Sequence, residues 1–218
     1  MTWSYYEDPR PDIQALLDPQ GLRTLDVGCG AGALSAELKA RGAAYTAGVE
    51  MDPTAAATAR ERLDELVEAS VTEGDLPWEP GSFDWLIFAD VLEHLPDPDR
   101  VLQRCLALLA PGGRVVVSVP NMRFWSVLLR LVIDRWEYTD HGVRDRTHLR
   151  IFTRRVLLEM LAGHGLQVER MERNQRLIDD QSRIGRGGVV ATRIARHTVA
   201  KVARELMTYQ YVAVARKP

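Results

Sequence analysis

Three groups of residues have types and spacings that suit chemistry. Gly28, Gly30 and Gly32 lie in the stretch Leu25 to Gly32 (LDVGCGAG), which ends an apolar run and leads into the helical pattern ALSAELKAR. Glycine takes positive φ and admits a ligand close to the backbone, and the first amides of a helix are unsatisfied donors, so this turn is a cradle for a polar ligand. Asp90, Glu93 and His94 follow the apolar run WLIFA, and polar groups at the carboxyl end of a central strand sit where open α/β sheets bind ligands. His141, Asp145, Arg146 and His148 crowd the polar stretch YTDHGVRDRTHLRIF. Imidazole is the side chain that exchanges protons near neutral pH.

The elements that must position these groups are legible from pattern. Strands are expected over Leu22 to Val27, Ala44 to Glu50, Val67 to Val71, Ser82 to Ala89 and RVVVSVPN from Arg114, with helices at Ala33 to Arg41, Thr54 to Leu66 and Asp97 to Leu109. This alternation argues for a doubly wound, mostly parallel sheet. Glu50 ends the second strand about 20 residues after the glycines, where a carboxylate accepts hydrogen bonds from ribose hydroxyls. Asp75, with Leu76 and Trp78, follows the third strand, placed to meet and pack on a base. Beyond Asn121 an amphipathic helix (MRFWSVLLRLVIDRW) and the polar stretch form a cover; Thr153 is expected to cap a helix, and LQVERMERN and TYQYVAVARK read as strands. Residues 174–187 read as a loop and Val189 to Met207 as a basic amphipathic helix carrying Arg193, Arg196, Lys201 and Arg204.

The chain is read as a single domain of 218 residues: an N-terminal arm and helix (1–20), a ligand-binding core (21–120), an acceptor-side cover (121–153) and a C-terminal part of the sheet (154–218). Aromatics in the arm, Tyr6 among them, are suited to close over a flat ligand. The acidic, proline-bearing start does not resemble an export signal, and the longest apolar run is far short of the ~20 residues that span a bilayer, so a cytoplasmic protein is expected. Two cysteines make neither a disulfide framework nor a metal site. Residues 1–120 carry 9 Lys/Arg against 20 Asp/Glu, and residues 121–218 carry 19 against 10. Such a split is consistent with an anionic partner for the second half, or with attraction between the halves.

With these pieces in order, the sequence resembles the class I S-adenosylmethionine (SAM)-dependent methyltransferases. LDVGCGAG, GVEMD, EGDL, FDWLIFADVLEHLPDP and LAPGGRVVVSVPN look like that family's motifs in sequence. WEYTDHGVRDRTHLRIFT and TYQYVAVAR are similar to its bacterial subgroup found with glycan and secondary-metabolite genes, beside the ubiquinone-pathway O-methyltransferase type. The resemblance implies a Rossmann-like α/β fold with a seven-stranded, mostly parallel sheet, an antiparallel last strand and a helical cover insertion. It implies SAM as cofactor, with S-adenosylhomocysteine (SAH) as product. The donor would be held by Asp26, Gly28, Cys29, Gly30 and Gly32 around its methionine part, Glu50 at the ribose, Met51, Asp75 and Leu76 at the adenine, and Ala89, Asp90 and Tyr6 alongside. A nicotinamide dehydrogenase fits less well. The glycines read G-x-G-x-G rather than G-x-G-x-x-G, and Asp26 repels a phosphate but suits an amine or sulfonium.

The expected reaction is methyl transfer to a small-molecule acceptor. O-methylation of a sugar, glycan precursor or secondary metabolite is the first reading, and N-methylation the alternative. A hydroxyl acceptor wants a base; His148 and His94 rank above His141, with His164 and His197 well below. Arg144, Arg146, Arg150, Arg154 and Arg155 would suit an acceptor bearing phosphate or carboxylate. Asp90, Glu93 and His94 have the chemistry for a hard divalent ion, but a structural loop with Glu93 paired to an arginine is the reading taken, with no metal. No nucleic-acid motif is present, a homodimer is left open, and a non-catalytic module docking an anionic partner or membrane is the alternative of another class.

Overall fold

A computed structural model describes residues 6–175 and 201–218. Trp3, Tyr5, Arg193, Arg196, His197 and most of the Val189 to Met207 helix lie outside the described residues. In chain order the elements are α1 Pro11–Gln14, β1 Arg23–Val27, α2 Ala33–Ala40, β2 Tyr45–Glu50, α3 Pro53–Arg62, β3 Glu65–Glu68, β4 Phe83–Ala89, a 3₁₀ turn Leu92–His94, α4 Pro98–Leu106 and β5 Leu109–Pro120. There follow α5 Trp125–Val132, α6 Arg154–Gly163, β6 Gln167–Gln175, α7 Lys201–Leu206 and β7 Thr208–Arg216. The sheet runs β3-β2-β1-β4-β5-β7-β6, with β7 antiparallel to both of its neighbours and β1 to β5 parallel. This bears out the expected seven-stranded, mostly parallel sheet with an antiparallel last strand.

The central strands are almost wholly buried, which is why β1, β4 and β5 read as continuous apolar runs. Their register aligns the carboxyl ends: Val27 pairs with Val49 and Phe88, and Ala89 with Ser118. Everything chemically promising therefore issues from one edge. Three helices, α3, α4 and α6, start on capping side chains: Asp52 accepts from the amides of Thr54 and Ala55, Asp97 from Arg100, and Thr153 from Val156.

Several boundaries differ from expectation. α3 stops at Arg62 because Leu63 turns extended and buries its side chain beside Cys29 and Ala59. Asp64 then accepts from Thr46, so the chain pairs with β2 sooner, and β3 is Glu65–Glu68 rather than Val67 to Val71. The arm's helix is a single turn. Trp78 is not at the ligand edge: its indole donates to Glu65 at the start of β3 and its ring stands edge-on to Phe83 at the start of β4, the opposite end of the sheet. No helix among the described residues is long and apolar enough to cross a membrane.

Candidate active site

The part of the site expected to hold the donor is built from backbone. Gly28, Gly30 and Gly32 have φ of 70°, 56° and 77°, and the turn is tied to β2 by the Gly28 and Cys29 amides on the Val49 carbonyl. At Gly30 a Cβ would lie 3.1 Å from the Tyr6 carbonyl oxygen, because the arm crosses directly over the turn. The Tyr6 carbonyl accepts the Ala31 amide at 3.0 Å, and Glu7 is paired with Arg62 at 2.8 Å, whose guanidinium also reaches the Ala31 carbonyl. The Cys29 side chain points away from this surface into a small apolar cluster, where burial pushes its thiol up.

Two acids stand at the turn. Asp26 is 2% exposed; one oxygen accepts from Ser35 at 3.1 Å and Oδ1 has no partner among the described residues. Burial raises its pKa to about 7, against the smaller effects of Ser35 and Arg10. Glu50 accepts three amides, from Gly30 at 2.9 Å and from Met51 and Asp52 at 2.8 Å. A carboxylate has about four acceptor directions, so Glu50 retains room for a hydroxyl. Met51 is 70% exposed beside it. Asp75 is exposed, Leu76 leans on the main core, and Ala89 is half-buried.

The part expected to face the acceptor is built from side chains brought together across the fold. His94, in the 3₁₀ turn, and His148, in the cover, lie edge to face with ring centroids 4.8 Å apart. The Thr147 hydroxyl donates its one hydrogen to Asp145 at 2.7 Å, so at 3.0 Å from His94 Nδ1 it accepts, as the Thr147 carbonyl does at 3.3 Å. His148 Nδ1 faces the Val143 carbonyl at 3.2 Å, which can only accept. Both rings therefore carry hydrogen on Nδ1 and leave Nε2 with a lone pair. Burial lowers both pKa values, and at His148 the neighbouring His94 lowers it further. The pair is thus uncharged near neutral pH.

Glu93 is 1% exposed, and its Oε2 has no hydrogen-bond partner among the described residues. The expected ion pair with an arginine is absent among the described residues; instead burial and the nearby Asp90 charge push Glu93 well up, toward the neutral acid. Its backbone carbonyl accepts from Leu149 at 2.8 Å and Arg150 at 3.0 Å, which staples the cover to the 3₁₀ turn. One oxygen or nitrogen each of Glu93, His94 and His148 lie within 4.8 Å of one another, a set with the donor chemistry for a divalent ion. Asp90 is not part of it, contrary to the sequence grouping. Its oxygens are taken by Arg10 at 2.8 Å, Ser118 at 2.7 Å and Gln210 at 2.6 Å.

His141 is exposed on a turn where its carbonyl accepts the Thr139 hydroxyl; it is not among the residues gathered at the pair. His164 caps α6 and reaches Asp99 at 3.0 Å. Most of the arginine cluster is engaged by the protein itself: Arg144 with the Glu137 carbonyl and Arg146 with Asp140 within the cover, Arg150 with the Pro96 carbonyl beyond the 3₁₀ turn, and Arg155 with Glu159 along α6. Sequence reasoning missed Arg10. It is 9% exposed, holds Asp12 with two bonds and also reaches Asp90 and Ser118. The nearby Pro11 hinted at a helix start, but nothing local signals a buried arginine.

Residues 3–170 match the profile of a family described as "Methyltransferase domain". Curated relatives include the ubiquinone biosynthesis O-methyltransferases of Xanthomonas axonopodis pv. citri, 39% identical over 114 residues (50% of this chain, 47% of the relative), and of Neisseria meningitidis serogroup C, 34% identical over 150 residues (61% and 59%). The chain spans about half the length of the curated relatives it matches. Among solved structures, a SAM-dependent methyltransferase from Archaeoglobus fulgidus superposes with a TM-score of 0.69 at 19% identity, covering 99% of this chain and 95% of that one. The [4+2]-cyclase SpnF superposes with a TM-score of 0.62 at 22% identity, covering 97% and 85%. Those two likenesses establish the fold alone.

Proposed function

The chain belongs to the methyltransferase domain family, and from that premise we propose that it transfers the methyl group of SAM to a hydroxyl of a small molecule of the sugar, glycan-precursor or secondary-metabolite type. One observation carries the reading: two uncharged imidazoles, His94 and His148, meet with a lone pair on each Nε2 at the carboxyl edge of the sheet, where Asp26 Oδ1 also lies buried without a partner among the described residues. The first arrangement takes protons and the second takes a cation. The names of the curated relatives, O-methyltransferases, support oxygen over nitrogen as the atom methylated.

The residues fit the donor. Asp26 Oδ1 is buried and unsatisfied, and such an oxygen is costly until a donor meets it; an ammonium group suits it and would hold the acid ionised. Glu50 retains room for a ribose hydroxyl, and exposed Met51 offers an apolar face at the same corner, with Asp75 and Leu76 in the loop that follows β3. When bound, SAM supplies an electrophilic methyl carbon whose leaving group departs as a neutral thioether.

What remains for this chain's own residues is alignment and a proton. Alignment alone can be worth ~7–11 kcal/mol, and here it falls to the glycine turn, the arm over it and the cover stapled to Glu93. The acceptor hydroxyl gives its proton to Nε2 of His94 or His148, a contribution of ~10²–10⁴-fold. Glu93, pushed by burial toward the neutral acid, does not compete for that proton. Because Arg144, Arg146 and Arg150 already have partners within the protein, the acceptor need not be anionic.

The test has two arms. Calorimetry with SAH is expected to show binding, and its absence at high micromolar protein overturns the donor reading. Isotope-labelled SAM incubated with panels of phenols, sugars and amines is expected to label hydroxyls; label confined to amines overturns O-methylation.

A further inference from the structure

Arg10 lies outside the glycine turn and the histidine pair, yet it touches the segment that joins them. Its guanidinium holds Asp12 through Nε at 3.0 Å and Nη2 at 2.9 Å, Asp90 through Nη1 at 2.8 Å and the Ser118 hydroxyl at 2.9 Å. Ser118 and Gln210 complete the shell around Asp90, and Asn174 bridges Gln210 to Asp12. The arm, β4, β5, β6 and β7 thus meet in one polar network at the ligand edge of the sheet.

Asp90 has φ of 58°, a left-handed conformation that is costly for a residue with a side chain and persists only where the surroundings enforce it. That conformation aims the next four residues. Val91 lies against the glycine turn, its Cγ2 2.7 Å from where a Gly28 Cβ would be. Glu93 then offers its carbonyl to Leu149 and Arg150, and His94 its ring to Thr147. One clamp therefore sets the distance between the donor cradle and the proton-accepting pair.

We propose that Arg10 is the positioning residue of this site. By holding Asp90 left-handed it fixes the 90–94 segment, and because it rides on the arm that crosses Gly30, closing the arm over the donor and assembling the acceptor side are one event. The coupling to donor binding rests on the proposed use of SAM; the clamp itself does not.

The test is amide hydrogen exchange of the full chain, wild type against Arg10→Lys, without ligand and with saturating SAH. Lysine keeps the charge but loses the planar fork that reaches three partners. Without ligand, the Leu149 and Arg150 amides of Arg10→Lys are expected to exchange at least about tenfold faster, while Leu86 and Val116 in the central strands keep their rates. SAH is expected to add protection at Leu149 and Arg150 in the wild type and none in the variant, and its affinity for the variant to fall at least about tenfold.

Wild-type exchange at Leu149 and Arg150 in the variant overturns the proposal. So does acceleration shared equally by Leu86 and Val116, which is loss of stability and not of position, or equal SAH protection in both proteins. If Arg10→Lys fails to fold, Ser118→Ala removes one strut of the same clamp and must show the same local pattern. Failure of the wild type to bind SAH would sink the donor reading, and the unliganded exchange rates would then decide the role of Arg10 by themselves.

Discussion

The two halves of the site are built differently. The donor half is mostly main chain: three left-handed glycines, amides on a strand-end carboxylate, and a turn tied to its neighbouring strand, all within residues 25–52. The acceptor half is mostly side chain: His94 from one loop and His148 from another, 54 positions later, held by Thr147, Asp145 and two carbonyls. On the proposed reading, donor recognition is fixed by local backbone within one strand–turn–helix, whereas the acceptor side depends on how a long insertion is stapled to the 3₁₀ turn.

If the halves are separable in this way, variants should part binding from transfer. The largest effect is expected from His94→Gln with His148→Gln. Methyl transfer should fall by ~10²–10⁴-fold with SAH affinity unchanged by calorimetry, and an equal loss of affinity would show that the halves are not separable. The pH profile of kcat/KM for the acceptor, taken at saturating SAM so that Asp26 does not enter, refines the same point. Both imidazole pKa values are lowered, so the rate should stay level at pH 7 and decline only below the ordinary imidazole range, where the base becomes protonated.

Gly30→Val should act on the other half. It forces a side chain to φ 56° against the Tyr6 carbonyl, a strain and overpacking expected to lower SAH affinity by about 100-fold. The arm that the valine displaces carries Arg10, so the His94 and His148 ring signals in NMR spectra of the unliganded protein are expected to shift with it, and signals left in place would show that the arm does not couple the halves.

A smaller change is expected from Asp26→Asn, about tenfold in SAH affinity, since one charge-assisted contact is lost. Its stability effect has the opposite sign. The folded-state pKa, about 7, lies above the ordinary carboxyl value of 3.8, so the native state binds the extra proton between those values and loses stability as pH rises through them. Asparagine removes that loss, and at pH 8 the variant should melt higher, by about 2–4 °C per kcal/mol regained. The smallest effect is expected from Arg146→Ala. Its pair with Asp140 is exposed on both sides, so stability should change by less than about 1 kcal/mol. A large loss of transfer there would restore an anionic acceptor.

Much of the fold was legible because its signals are local: continuous apolar runs for buried parallel strands, and Asp52, Asp97 and Thr153 as helix caps. Where a boundary slipped, as at β3, a long-range contact won, Asp64 on Thr46 drawing the chain into the sheet early. The glycine turn and Glu50 were readable together because their spacing is set by one strand, turn, helix and strand. His94 and His148 were readable as types but not as neighbours. Trp78 was misplaced because a loop's direction cannot be read from its composition, and Asp90 was grouped with Glu93 and His94 because proximity in sequence says nothing of which way each carboxylate turns.

Residue order alone was enough for the parallel sheet, the glycine cradle and the acid at the end of β2, since each follows from the conformational preferences of residues a few positions apart. Long-range packing was needed to settle that Asp90 belongs to Arg10, that Glu93 is buried without an ion pair among the described residues, and that both imidazoles present Nε2. The Asp90 and His94 outcomes depend on partners 80 and 53 residues away. At such separations the sheet's register, and not the local chain, selects which polar groups meet.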